Sequence, residues 1–433
     1  MSAPPTSRPE NPSRPTPPWV FFFLDLQFGA AVGYLSIAVP YWMEARGYGI
    51  GGIATTVGWA NSVHAWKILW IPLLDLGPFR KLWYLAMAGA TAAMFVVLAL
   101  LPDPIGNLPL FAILLTILQA TATTAHAANN TLMATTTRFE DKGKVGGFAQ
   151  ASNVGGTGLL AALAIVVSEW ASPRAAALAL AAIVVASASL AVIIVEQRHV
   201  ADAVARAGGA WRTAAAHVGA MARDLWSTIR SREGFTGLVI CLAPVGCQAM
   251  SNLFSGVSRQ YGAGPQLVAL ANGIGGGIAG AVGALLGGIL ADRINRRVAY
   301  ALSGGLTALC AVAMAVAPMT ATTYAWGTLT YLFAGGIAFA SWTGMVLELV
   351  GLSTAAATKY ALFNASMNLA ITYVTFANGV VGEWLARLTG MATARGALVT
   401  DAVLTALGIA VLLAMLSLVR RQRGGYSASA STA

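Results

Sequence analysis

The chain has 433 residues, 57% of them hydrophobic and only 10% charged, with a formal net charge of +10 and a mean hydropathy of +0.69. A soluble domain carries about 25% charged residues, so this composition excludes a water-facing globular surface. The basic residues sit between apolar runs, where orientation signals belong, and give no argument for nucleic-acid binding.

Residues 1–18 hold seven Pro with Ser, Thr and two Arg. With no apolar segment before a cleavage site, this stretch reads as a disordered cytoplasmic tail and not a signal peptide. Twelve apolar segments follow, at about 19–43, 51–75, 82–101, 108–134, 147–168, 174–195, 235–257, 266–291, 298–318, 321–350, 359–385 and 397–419. A span needs roughly 20 apolar residues, and in lipid its backbone must be satisfied within the segment. Continuous runs of this length therefore predict helices; a barrel would show alternating segments of about ten residues. A bend is expected in the tenth segment near Gly335-Gly336.

Residues 196–234 are the one long polar connection and divide the spans six and six. Trp211, Val218, Met221, Leu225 and Ile229 recur near helical spacing, with Arg212, Arg223 and Arg230 among them. This stretch is either a plain linker or an amphipathic helix on the inner leaflet. The organisation expected is a tail (1–18), a six-helix half (19–195), a cytoplasmic connection (196–234), a second half (235–420) and a tail (421–433).

With the N-terminus inside, the inner stretches hold 20 of the 26 Lys and Arg. The outer stretches hold five: Arg46, Arg174, Arg259, Arg387 and Arg395. That asymmetry predicts cytoplasmic termini and an even span count. Trp19, Trp42, Trp83, Trp170 and Trp384 fall near predicted span ends, as interfacial anchors would. Cys241, Cys247 and Cys310 lie in apolar runs and imply neither a disulfide framework nor a zinc site.

The halves echo each other. Asp75 and Asp292 each end an apolar run and are 217 positions apart. The first and seventh segments begin 216 apart, at Trp19 and Phe235. Ala151-Ser152 and Ala365-Ser366 are 214 apart. The reading is an all-α integral membrane protein with twelve transmembrane helices in two pseudo-symmetric six-helix halves. Repeated halves around a midplane cavity are a transporter architecture.

An ionisable residue inside a span costs about 3 kcal/mol on insertion scales, so each is a functional hypothesis. Lys67 lies about 12 Å from Asp75 at helical rise, and His64 shares its face three residues earlier. Lys67 suits an anionic group; it could instead snorkel or pair with Asp25. Asp25 is the acid deep in the first segment. His126, Asn129 and Asn130 mark a polar face of the fourth, facing a cavity or a helix partner. His126, Asp25 and Glu348 are the candidate proton carriers. Gln150, Asn153, Asn364 and Asn368 lie on the fifth and eleventh segments. Their amides suit a polar ligand or a helix–helix contact. Gly273, Gly275, Gly276, Gly277 and Gly280 crowd the eighth, where close packing and bending explain them better than a dinucleotide loop.

Gly287, Gly288, Asp292, Arg293, Arg296 and Arg297 resemble the inner-loop signature of the major facilitator superfamily, which implies its fold. Asp75 and Arg80 occupy the matching place in the first half. These positions read as a latch of charged pairs rather than substrate ligands. A narrower resemblance rests on Gly29, Gly33, Pro40-Tyr-Trp-Met43 and Lys67-Ile-Leu-Trp70-Ile-Pro72-Leu-Leu-Asp75. These are similar to the peptide–acetyl-coenzyme A transporter family, which holds AmpG-type muropeptide permeases and acetyl-coenzyme A transporters. Asn153-Val-Gly-Gly-Thr-Gly158 and Thr358-Lys-Tyr-Ala-Leu-Phe363 add shorter matches. Asp75 is followed by Leu-Gly-Pro and not by the family's Arg.

The resemblance implies secondary active import of a muropeptide-like or acetyl-coenzyme A-like metabolite by alternating access, as proton symport, in a bacterial inner membrane. A siderophore or drug transporter, or a non-transporting sensor of the same fold, stands as the alternative. No Gly-x-x-x-x-Gly-Lys-Ser/Thr phosphate loop is present, so direct ATP hydrolysis is not expected. The scattered His64, His126, His199 and His217 offer no catalytic or metal set. The expected partners are a small polar substrate, protons and membrane lipid. No cofactor or nucleic acid is expected, and the chain should act as a monomer.

Overall fold

Apolar runs without competing hydrogen-bond partners close their backbone bonds internally, and the described residues are helical almost throughout. The computed structural model describes residues 15–71, 74, 80–138, 141, 145, 148–149, 151–195, 219, 222–223, 226–350 and 356–430. Among the described residues, nine helices are long and apolar enough to cross a membrane. They are Val20–Ala45, Arg80–Leu100, Leu108–Met133, Ser152–Trp170, Pro173–Ile193, Pro265–Ala291, Arg296–Val316, Ala321–Val346 and Thr393–Ser417.

The other three spans have visible reasons for falling short. The second is broken into Ile50–Asn61, Val63–Trp66 and a 3-10 turn, Lys67–Leu69. The seventh runs as α-helix over Arg232–Leu242, then breaks at Pro244 and resumes as 3-10 turns, Ala249–Asn252 and Phe254–Tyr261. Pro has no N–H to continue the ladder. Gly246 and Gln248 turn the chain through the left-handed region, at φ 58° and 57°. The eleventh, Ala356–Thr389, is long but diluted by Asn364, Asn368 and Asn378. The twelfth helix continues to Ala430, through most of the stretch expected as a tail. Most of the connection 196–234 lies outside the described residues.

Pairing of the spans repeats with a period of six. The third packs on the sixth and the ninth on the twelfth; the first packs on the fifth and the seventh on the eleventh; the second packs on the fourth and the eighth on the tenth. Across the halves, the second span meets the eleventh and the fifth meets the eighth. The repeat expected from the landmarks is thus a repeat of contacts.

Glycines set the closest crossings. A Cβ on Gly33 would lie within 3.0 Å of Ala161 and closer still to the Thr157 carbonyl, so the first and fifth spans touch backbone to backbone. Gly158 and Gly273 face each other the same way between the halves. At Gly273 the eighth span also departs from helical geometry, inside the π-turn Ala269–Ile274. At Gly335-Gly336, where a bend is expected, the helix Ala321–Val350 runs on without a break. Those glycines instead admit the Gln248 side chain and the Gly280 carbonyl. Gly287 likewise approaches the Ile337 carbonyl, whereas Gly288 faces open space.

The lipid-facing rim explains side chains that a soluble protein would bury. Leu285, Leu302 and Val316 are exposed, as are Trp19, Trp170 and Trp384. Trp42 is not an interfacial anchor: it is buried, and its indole N–H donates to Ser168 Oγ at 2.9 Å.

At one end the halves are tied by polar contacts. The Glu44 carboxylate accepts from Ser258 Oγ at 2.8 Å and from the Arg259 backbone N–H at 3.0 Å. The Gly51 N–H donates to Glu383 Oε2 at 2.9 Å. At the same end Arg46 pairs with Asp103, both largely exposed, and the guanidinium holds that carboxyl below the usual carboxylate range. An exposed pair of this kind adds little stability.

Candidate functional site

The first and fourth spans bring a buried ionisable cluster together. Asp25 is fully buried, and its Oδ1 lies 2.5 Å from His126 Nδ1. Asn129, one turn further along the fourth span, donates its Nδ2 to the same oxygen at 3.4 Å. The other carboxylate oxygen, Oδ2, is buried with no hydrogen-bond partner among the described residues. Phe28 stacks on the His126 ring at 4.3 Å and meets the His64 ring edge-on at 5.8 Å. The aromatic ring therefore links the two histidines across spans one, two and four.

The spacing behind this is simple. Asp25 and Phe28 lie three residues apart on one helical face, as do His126 and Asn129. Their side chains can meet in pairs because the two spans pack directly on each other. Flanking polar groups close the backbone on either side. Gln27 Nε2 donates to the Ala122 carbonyl at 3.3 Å, Gln119 Nε2 to the Ala31 carbonyl at 2.7 Å, and Tyr84 to the Leu24 carbonyl at 2.8 Å.

Other candidates fall elsewhere. Lys67 is half-buried on the 3-10 turn just past His64. It does not pair with Asp25, whose carboxylate contacts His126 instead. Asn130 does not share the buried face of Asn129; it is exposed. One residue is a 100° step on a helix, enough to turn it away. Asn153 is half-buried in the π-turn Ser152–Gly156. Asn364 and Asn368 bond each other, Nδ2 of Asn368 donating to Oδ1 of Asn364 at 2.9 Å. Asp75 and Gln150 lie outside the described residues, as do the side chains of Asp292 and Glu348. Arg80, Arg293, Arg296 and Arg297 sit at helix ends on the side opposite Glu44.

A second polar cluster lies in the C-terminal half, unanticipated from the sequence. Asp401, 1% exposed, accepts from the Tyr331 hydroxyl at 2.9 Å and from Asn378 Nδ2 at 2.8 Å. It joins the tenth, eleventh and twelfth spans. The available signal was an Asp four residues into an apolar run, a position that reads as a span end.

Two halves of six spans, related by a repeat of contacts, thus enclose buried carboxylates. The sequence profile of the Major Facilitator Superfamily matches residues 20–375. The chain belongs to this superfamily. It is a transporter and not an enzyme. No curated protein matches the sequence. Among solved structures, the nucleoside transporter NupG aligns with a TM-score of 0.68 at 12% identity, covering 92% of this chain and 98% of NupG. A D-xylose–proton symporter aligns at 0.63 and 15% identity over 90% and 96% of the two chains. A bacterial homologue of the human lysosomal transporter Spinster, inward-facing and occupied, aligns at 0.67 and 11% identity over 92% and 96%. At these identities the likeness is one of fold. The family match shows the superfamily and no narrower family.

Proposed function

We propose that this superfamily member imports a polar, anionic metabolite of muropeptide or acetyl-coenzyme A type by proton symport, with both termini cytoplasmic in a bacterial inner membrane. The observation that carries the coupling is the Asp25–His126 pair. A carboxylate shut in an apolar bundle is stable only when paired or protonated. Here the group in contact with it is a histidine, a side chain able to take up or release a proton. The unpartnered Oδ2 gives an added proton a place to sit. In this reading Glu44 holds the outer side closed, and the Asp75/Arg80 and Asp292/Arg293/Arg296/Arg297 turns latch the inner side when the cycle reverses. The substrate class rests on the Lys67-to-Asp75 motif and on the amides Asn153, Asn364 and Asn368. Gln150 and Glu348 remain proposed members of the path.

The test is uptake into proteoliposomes with an imposed pH gradient, with labelled anhydromuropeptide and acetyl-coenzyme A side by side. Accumulation of one of them, abolished by a protonophore, is the expected result. Equal uptake with and without the gradient would sink proton coupling, and uptake of neither would sink the substrate class. In this reading Lys67 meets the anionic group. Lys67→Gln should raise KM roughly tenfold, the worth of one charge-assisted hydrogen bond, with kcat nearly unchanged. An unchanged KM would remove Lys67 from the binding site.

A further inference from the structure

The C-terminal cluster has a feature that packing does not explain. Asp401 is buried, and the two groups that hold it, Tyr331 and Asn378, are neutral donors. The groups facing it from neighbouring elements are Tyr331 on the tenth span, Asn378 on the eleventh and the Cys247 thiol at the break of the seventh. On its own helix the nearest charge is Arg395, six residues earlier, which donates to the Ala317 carbonyl at 3.0 Å. No cation among the described residues pairs with Asp401. A buried carboxylate without a counter-ion is disfavoured in its charged form. Two donated hydrogen bonds offset only part of that cost.

Asn378 supplies the second observation. Its Nδ2 serves Asp401, while its Oδ1 is buried with no hydrogen-bond partner among the described residues. A carboxylic acid is a donor through its O–H, whereas a carboxylate only accepts. Rotation of the Asn378 amide by half a turn would present Oδ1 to a protonated Asp401. The same three side chains therefore satisfy both charge states, the proton coming from and returning to water as the O–H bond forms and breaks.

The position of Asn378 gives the charge state something to act on. The next residue, Gly379, sits in the seam between halves, where a Cβ would press on Ala54 and on the Ile50 carbonyl of the second span at 2.8 Å. One turn later Glu383 accepts from the Gly51 N–H. We propose that Asp401, Tyr331 and Asn378 form a second proton-binding site, loaded and unloaded during transport and read by the eleventh span at the seam between the halves.

The proposal rests on the proton-coupled reading, but its first test does not. Infrared difference spectra of the purified protein in nanodiscs would be recorded from about pH 4 to about pH 9, a range that brackets ordinary and strongly perturbed carboxyls. In the Asp25→Asn protein a buried carboxylic C=O band should still titrate, and it should vanish in Asp25→Asn/Asp401→Asn. In Tyr331→Phe, which loses a bond favouring the charged form, the band should persist to higher pH. That variant also decides the matter if Asp401→Asn fails to fold. A band that does not titrate, is indifferent to Asp401 and Tyr331, or responds to sodium at fixed pH overturns the proposal.

In proteoliposomes Asp401→Asn should keep substrate exchange and lose gradient-driven accumulation. Wild-type-like accumulation by that variant would also overturn it. If the band titrates as expected while the wild type shows no gradient-driven uptake, the site stands and the symport reading falls.

Discussion

Asp25→Asn should leave a folded protein that exchanges substrate across the membrane but no longer concentrates it. Asn has nearly the shape of Asp and still presents an oxygen to His126 Nδ1, which lies 2.5 Å from the carboxylate. What it loses is the charge. In a coupled carrier, proton binding changes substrate affinity, and linkage requires the reverse. Such coupling amounts to about 1–3 kcal/mol, or roughly 5- to 150-fold in affinity. The measurement is apparent KM against pH, with counterflow as the control. In the wild type KM should change with pH over that range; in Asp25→Asn the change should shrink to the part that Asp401 contributes. His126→Gln, which keeps a donor facing Asp25, should weaken it too while retaining exchange. Asp25→Ala is the poorer probe, because it removes one partner of a buried pair, which costs about 3–5 kcal/mol and confuses folding with function. Uphill transport by Asp25→Asn at the wild-type level would exclude this pair as the coupling site.

Much of the fold was legible because lipid simplifies the code. Length and apolarity fix a span, and the landmarks at Asp75/Asp292 fixed the repeat before any contact was known. The broken spans were less legible. Pro244 is visible in sequence, yet the left-handed turn at Gln248 depends on the space between Gly335 and its neighbours, into which the Gln248 side chain fits. The same holds for the sites. Asp25 and His126 each stood out as an ionisable residue in an apolar run. That they touch could not be read from residues 101 positions apart. Asn364 and Asn368 stood out as polar groups in an apolar run, and their four-residue spacing also lets them bond each other one helical turn apart. Asp401 carries little signal in the sequence, because it lies four residues into an apolar run that starts near 397. The helix in fact starts at Thr393 and packs its first turns inside the bundle.

Gly158→Ala should be among the most disruptive single-methyl changes in the protein, and its effect should depend on conformational state. The added Cβ would sit against the Gly273 carbonyl, with the Gly273 carbonyl carbon 2.8 Å away. A carbon and a carbonyl oxygen rest about 3.3–3.6 Å apart, so the backbones must part by about 1 Å. Neither partner is a flexible side chain that could swing aside. The clash exists only while the fifth and eighth spans are pressed together, so the penalty falls on this arrangement of the halves. Overpacking typically costs about 1–3 kcal/mol, which shifts a two-state balance by roughly 5- to 150-fold. Spin labels at Ala45→Cys and Thr389→Cys, with the native cysteines replaced, report on the Glu44 end. Their distance distribution should gain a longer population in Gly158→Ala, and turnover should fall with little change in KM. Gly155→Ala is the matched control: three residues away, its Cβ would meet nothing within 4 Å, and stability should stay within about 0.5 kcal/mol. Equal behaviour of the two variants would mean that the Gly158–Gly273 crossing is not where the halves press together. The state-dependent clash would then have to be sought at Gly379 and Ala54.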